Sequence, residues 1–336
     1  MEELRQWLST LFKSGDFSLA PASADASFRR YFRVTRQNQT WIAMDAPPDK
    51  ENMEPYIRIA NMLVEVGVNA PHILETNLNA GFLLNSDLGG RTYLTDIEAT
   101  GDVDGLYHDA MDALVRIQAN GKPHAQKLPP YDEALLRREM ALFPEWFCGR
   151  HLRLALTEAD LLELQQVLGV LTTAALSQPR VFVHRDYHSR NLMVTSGRFG
   201  PNPGILDFQD AVHGPVTYDL VSLLRDCYVA WPVERVHEWV TRFREVARVA
   251  GVDTGPDEKN FLRWFDLMGV QRHLKAIGIF ARLWHRDGKS GYLKDIPRTL
   301  NYVRVVSATY PELRALRQLI ENRVMPVLDQ VTAAST

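Results

Sequence analysis

Cysteine is scarce in this chain: Cys148 and Cys227 are the two among 336 residues. That is too few for a disulfide framework or a zinc site, so each is expected to be a small buried apolar residue. Long apolar runs are missing as well. No window approaches the roughly 18 uncharged apolar residues of a membrane helix, and no span is expected. Glu2, Glu3 and Arg5 precede any apolar run, which is not the form of a signal peptide. Neither sign of charge dominates: 38 Lys and Arg against 41 Asp and Glu give a net −3. Non-specific nucleic-acid binding has no support in that balance. Internal repeats and low-complexity linkers are absent, and nothing points to an obligate protein partner. A reducing cytoplasm is the expected compartment.

What is present is an ordinary globular composition, 46% hydrophobic and 24% charged, in a chain long enough for two lobes with a core each. Leu4, Trp7, Leu8, Leu11 and Phe12 share one helical face, which predicts an amphipathic opening helix. Residues 28–35 and 40–44 are rich in aromatic and branched side chains. They flank the polar link Arg36-Gln37-Asn38-Gln39, which reads as a hairpin. A helix over 51–66, ending at Gly67, and strands at 73–76 and 81–84 follow. The expected front is helix, two strands, helix, two strands: a small antiparallel sheet with a helix packed on it. Beyond Tyr93, helical periodicity covers 104–120, 132–147, 157–176, 217–229, 233–250, 257–285, 295–309 and 311–330. Short strands at 181–183, 192–194 and 204–206 interrupt it. The fold class expected is α+β, with a sheet-bearing lobe over 1–88 and a larger, mainly helical lobe over 89–336.

The densest chemistry lies in Val181-Phe182-Val183-His184-Arg185-Asp186-Tyr187-His188-Ser189-Arg190-Asn191-Leu192-Met193-Val194. An apolar strand enters a polar loop that holds His, Asp and Asn, and leaves in a second apolar strand. Asp207 then ends the apolar run Gly204-Ile205-Leu206 and is followed by Phe208, Gln209 and Asp210. Phosphoryl transfer needs an oriented hydroxyl and neutralised phosphate charge, usually through Mg²⁺. Asp186 has the chemistry to take the hydroxyl proton, and Asn191 and Asp207 offer the hard oxygens that Mg²⁺ prefers. The spacing H-x-D-x-x-x-x-N followed by a strand-borne Asp is that of a kinase catalytic loop and metal site. A loop Asp by itself is usually a turn or cap residue; the whole array with its flanking strands is not. His184 and His188 are four apart, but they lie on a loop and lack the glutamate of a helical zinc motif.

At these residues the chain resembles the aminoglycoside phosphotransferase/choline kinase family, over about residues 25–302. The resemblance implies a protein-kinase-like fold with two lobes, ATP as phosphoryl donor, Mg²⁺, and a small-molecule hydroxyl as acceptor. Residues 24–34, 44–48, 218–228 and 271–283 most resemble the anomeric kinases of N-acetylmuramate and N-acetylglucosamine in bacterial peptidoglycan recycling. Such a kinase would make an amino-sugar 1-phosphate. By the resemblance, Asp186 is the catalytic base, Asn191 and Asp207 hold the metal, and Asp219 braces the loop. The 1–88 lobe would hold the nucleotide through Ser27, Phe28, Arg29, Arg30, Met44 and a hinge at Ser86, Asp87 and Leu88. The 89–336 lobe would hold the catalytic groups and the acceptor.

Two departures stand out. Between Ala24 and Val34 there is no glycine to let backbone approach phosphate. Met44 occupies the strand position that usually holds a phosphate-pairing lysine, so a pair with Glu54 is lost. Arg29, Arg30 or Arg33 would have to supply that charge; the plainer alternative is solvated edge-strand arginines. On the acceptor side, His188, Gln209 and Asp210 lie close in sequence to the catalytic groups. Arg272 and Lys275, one helical turn apart, could meet a carboxylate such as a lactyl group, or be exposed helical charges. Trp231, Trp239, Trp264 and Trp284 are expected in the core. Three functions stay open: a sugar 1-kinase, another hydroxyl kinase such as an aminoglycoside phosphotransferase, and a non-catalytic nucleotide-binding pseudokinase.

Overall fold

The computed structural model describes residues 1–24, 28–101 and 103–333. Ser27, one of the expected nucleotide residues, lies outside them. The chain forms two compact units. The first combines Met1–Gly121 with Arg190–Ala211, and the second Lys122–Ser189 with the residues from Val212 onward.

In the first unit, helix α1 (Glu2–Phe12) lays Leu4 and Leu8 onto a five-stranded antiparallel sheet. The strands are β1 (Ser18–Ala24), β2 (Arg30–Arg36), β3 (Gln39–Asp45), β4 (Ile73–Asn77) and β5 (Phe82–Ser86), in the order β1-β2-β3-β5-β4. Leu4, Leu8, Phe17, Val34, Ala43, Phe82 and Leu84 form the core between helix and sheet. The β2–β3 hairpin pairs Arg36 with Gln39, as the sequence predicts. Strand β1 was not expected: Ser18-Leu19-Ala20-Pro21-Ala22-Ser23-Ala24 has no β-branched or aromatic residue, and tertiary pairing with β2 overrides that weak preference. Gly81 has φ +79, and a Cβ there would lie 2.1 Å from the Ala46 carbonyl oxygen, so only glycine fits this crossing of chains.

Helix α2 (Glu54–Val66) ends at Gly67 in the left-handed region. Helices α3 (Tyr93–Thr100) and α4 (Asp104–Asn120) complete the unit with β7 (Leu192–Met193) and β8 (Gly204–Ile205), an antiparallel pair. Hydrogen bonds to Arg91 and Asn69 are among the ties that secure residues 190–211 here. Val194 donates its N–H to Arg91 O at 2.9 Å, Ile205 donates to Asn69 O at 2.8 Å, and Asn69 Nδ2 donates to Pro201 O at 2.7 Å. The first compact unit runs on to Gly121, because α4 packs on α2 and Asn120 Nδ2 donates to Val66 O at 3.2 Å.

The second unit is built on the 30-residue helix α10 (Glu258–Asp287). It is preceded by α5 (Lys122–Ala125), α6 (Glu133–Met140), a π-helical segment (Phe143–His151), α7 (Glu158–Leu176), α8 (Tyr218–Leu224) and α9 (Val233–Val249). It is followed by α11 (Ile296–Thr309), α12 (Arg314–Leu319) and α13 (Met325–Ala333). Gly278 of α10 touches the Leu142 backbone so closely that a Cβ would meet it at 2.5 Å. Strand β6 (Arg180–Val183) pairs with β9 (Val212–Pro215), which the sequence reading missed because Val212-His213-Gly214-Pro215 carries turn residues. Helix α8 stops at Leu224, short of the expected 229. Both cysteines are buried, and so is Trp239, whereas Trp284 is 39% exposed at the surface.

Candidate active site

Asp186 sits on the loop that leaves β6, in the second unit. The loop begins with backbone strain, since Arg185 has φ 80, a region that non-glycine residues avoid. Asp219, fully buried on α8, holds that turn in place. Its carboxylate accepts the N–H of His184 at 2.6 Å and that of Arg185 at 2.9 Å. Burial pushes the Asp219 carboxyl up, to about 7, against the pull of those two donors. The far end of the loop is held in the same way. Asp226, also fully buried, accepts from Ser189 N and Tyr228 N, both at 2.9 Å. The early end of α8 makes this grip possible, because residues 226–228 turn back toward the loop.

Around Asp186 the second unit assembles positive charge. Burial raises its carboxyl, but Lys275, His188, Arg185 and Arg272 together take it below the usual carboxylate range, so it is ionised. Arg272 and Lys275 are not the exposed charges of the plainer reading. They are 6% and 8% exposed on the inner face of α10. Lys275 Nζ lies 3.1 Å from Glu139 Oε1 and donates to Tyr218 Oη at 3.0 Å. Arg185 also pairs with Glu139, and Tyr131 donates its hydroxyl to the same carboxylate. Burial raises the Glu139 carboxyl, yet Lys275, Arg185 and Tyr131 prevail and hold it low. Tyr131 is positioned by backbone bonds of its segment to β9, Tyr131 N to His213 O and His213 N to Pro129 O, each 2.9 Å. His188 is buried and meets the Tyr228 ring edge-on at 5.3 Å between centroids.

The first unit carries the other half of the motif. Asn191 Nδ2 donates to Asp207 Oδ2 at 3.2 Å. Asp207 has φ 62, and Leu206 N donates to Asn191 O at 2.9 Å, so backbone and side chains fix the pair together. Gln209, expected to border the acceptor, donates its Nε2 to Asp207 Oδ1 at 2.7 Å and so orients that carboxylate. Asp210 is exposed.

The residues expected around the nucleotide also fall in this unit. Met44 is fully buried in β3, paired with Leu83 of β5. Each hairpin arginine already has a carboxylate: Arg29 with Glu51 at 3.6 Å, Arg30 with Asp45, and Arg33 with Asp87 at 2.8 Å. Arg33 also donates to Gly89 O at 2.5 Å, and Asp87 accepts Gly89 N at 2.9 Å, which shapes the turn that follows β5. Ser86 is bonded to His72 through backbone and side chain, and Leu88 is buried. Phe28 is 61% exposed with Lys50 Nζ over its ring at 4.8 Å.

Sequence reasoning missed Glu139, Tyr131 and Asp226. Asp226 left a signal, a second acid closing the apolar run that Asp219 opens. Glu139 left none, since it sits in a helix with two arginines before it and another glutamate six residues earlier.

An apolar strand, a loop with Asp and Asn, and a second strand ending in Asp follow one another along the chain in the order found in phosphotransferases of protein-kinase-like fold. Residues 18–256 match the model of the phosphotransferase enzyme family, and the chain belongs to that family. It is 50% identical over 302 residues to the N-acetylmuramate/N-acetylglucosamine kinase of Pseudomonas aeruginosa, covering 90% of this chain and 87% of that one. It is 47% identical over 330 residues to the protein of the same name from Pseudomonas putida, covering 95% of each. Among solved structures, the ADP-bound aminoglycoside phosphotransferase APH(2'')-Ib matches with a TM-score of 0.58 at 14% identity, over 89% of this chain and 97% of that one. That last likeness concerns the fold.

Proposed function

We propose that this chain is an ATP-dependent kinase of N-acetylmuramate and N-acetylglucosamine that phosphorylates the anomeric hydroxyl and acts in cytoplasmic recycling of peptidoglycan sugars. One observation carries the catalytic part: Asp186 stands on a loop gripped at both ends by buried carboxylates, those of Asp219 and Asp226. The names of relatives at 50% and 47% identity support the acceptor class.

Asp186 accepts the acceptor's hydroxyl proton as that oxygen bonds to the γ-phosphorus. The bond from this phosphorus to the β–γ bridging oxygen breaks, and ADP leaves. The ring oxygen makes the anomeric hydroxyl more acidic than the others, so a carboxylate has less proton-transfer work there. Lys275 and Arg272 keep Asp186 charged before the transfer. Asn191 and Asp207 fit Mg²⁺, because they bring two hard oxygen-bearing side chains together and nucleotide phosphates complete such sites. The chemistry it supplies when bound is neutralisation of phosphate charge. Gln209 holds Asp207 in its orientation. The hinge at Ser86, Asp87 and Leu88 would offer backbone groups to the base.

Turnover of ATP with each free sugar and with its methyl α-glycoside tests the reading. The free sugars are expected to be consumed and the glycosides not. Consumption of a glycoside at the free sugar's rate would move the transfer to another hydroxyl. No turnover with any amino sugar would remove the acceptor class.

A further inference from the structure

The sequence leaves Arg272 and Lys275 equivalent; the structure separates them. Lys275 is neutralised from within by Glu139 and bonded to Tyr218. Arg272 is equally buried, yet among the described residues no carboxylate stands in ion-pair contact with it. Its hydrogen bond runs from Nη1 to Cys227 Sγ at 3.8 Å, a weak acceptor, and the buried Nε has no partner. A guanidinium cannot shed its proton, and the carboxylates of Asp186 and Asp226 act on it from outside ion-pair contact, so its own hydrogen-bonding edge is left without an anionic partner. Such an arrangement suits an anion that arrives with a ligand.

The surroundings say which ligand. Cys227 follows Asp226, whose carboxylate holds Ser189 N, so Arg272 borders the loop that carries Asp186. Asp186 and Asp226 are among the charges that act on it. The group beside Asp186 is the acceptor sugar. With Nη1 turned to sulfur, the Nε–Nη2 edge remains, the geometry that takes a carboxylate in a two-bond fork.

We propose that Arg272 receives the lactyl carboxylate of N-acetylmuramate and sets the preference for this acid over the neutral N-acetylglucosamine. This rests on the amino-sugar reading of the acceptor site. Lys275 takes no part in the discrimination, because its charge is matched by Glu139.

The test uses the full chain, Arg272→Gln and Arg272→Lys, with three acceptors: N-acetylmuramate, its lactyl methyl ester, and N-acetylglucosamine. In the parent enzyme, esterification is expected to lower kcat/KM about tenfold or more, chiefly through KM, as expected for a lost charge pair. In Arg272→Gln, esterification should cost nothing further, and the ratio of acid to neutral sugar should fall by the same factor. Arg272→Lys should recover part of the preference. A purely structural role would harm all three acceptors alike and leave the ratios unchanged, which overturns the proposal. A parent enzyme that accepts ester and acid equally overturns it too, and that arm decides even where Arg272→Gln does not fold. Turnover of N-acetylglucosamine without acid–ester discrimination sinks this inference alone, whereas no turnover of any of the three sinks the amino-sugar reading beneath it.

Discussion

Asp219, on α8, and Asp226, just beyond its end, grip one loop from its two ends: Asp219 through the N–H groups of His184 and Arg185, Asp226 through that of Ser189. Between those grips stand Asp186, Tyr187 and His188, with the backbone tied on either side. Removing one acceptor leaves two buried N–H groups unpaired, at about 1–3 kcal/mol each. Asp219→Ala should therefore lower stability in urea unfolding and reduce kcat while ADP affinity stays near that of the parent. A stable variant with parental kcat would show that the brace is dispensable.

Asp207→Ala should abolish the response of activity to Mg²⁺, and Gln209→Ala should shift the Mg²⁺ midpoint to higher concentration without abolishing it. The reason is that Gln209 orients a carboxylate that it does not replace. Coincident Mg²⁺ titrations for Asp207→Ala and parent would remove Asp207 as a ligand.

Lys275→Met should move the acid limb of the kcat/KM profile upward. Positive neighbours depress the Asp186 carboxyl, so the ionised base survives to lower pH than an ordinary carboxylate. Withdrawing the Lys275 charge raises that value, and activity is lost at a higher pH as the solution is acidified. The readout is the position of the limb, which a uniform loss of folded enzyme leaves where it was.

Arg33→Ala should weaken ATP and adenosine by similar factors, on the order of tenfold, or about 1.4 kcal/mol. Arg33 shapes the hinge through Asp87 and Gly89 and has no phosphate to meet while it is held there. Arg30→Gln is expected to weaken ATP more than adenosine, because Arg30 is the more exposed of the two. Calorimetric titration of both ligands separates the cases, and a phosphate-selective loss in Arg33→Ala would reverse the assignment.

Asp186, Asn191 and Asp207 stand out in the sequence because each adjoins an apolar strand, and period and polarity change together at those points. Helix α1 and the β2–β3 hairpin were legible for the same reason. Strand β1 was hidden by Pro21 and a run of small residues, and β9 by Gly214 and Pro215. For Arg272 and Lys275 the sequence left a carboxylate-binding role and a solvated one both open, since a lone basic residue in a helix says nothing about what faces it. Their burial follows from α10 being enclosed by α6, α7, α8, α11 and the π-helical segment, which is a tertiary fact. Glu139 is the counter-case, an acid whose partners come from residues 131, 185 and 275, far apart along the chain.

The first unit is also discontinuous, since Arg190–Ala211 returns to complete what Met1–Gly121 began. A growing chain that has left the ribosome as far as Gly121 lacks β7, β8 and both oxygen-bearing side chains of the Asn191–Asp207 pair. Asn69 and Arg91 meanwhile wait for partners made some hundred residues later. Order of synthesis thus makes the front of the protein finish after part of its rear has emerged. Arrest-peptide force measurements along the chain should register folding of the first unit once Ala211 has emerged, and little at Gly121.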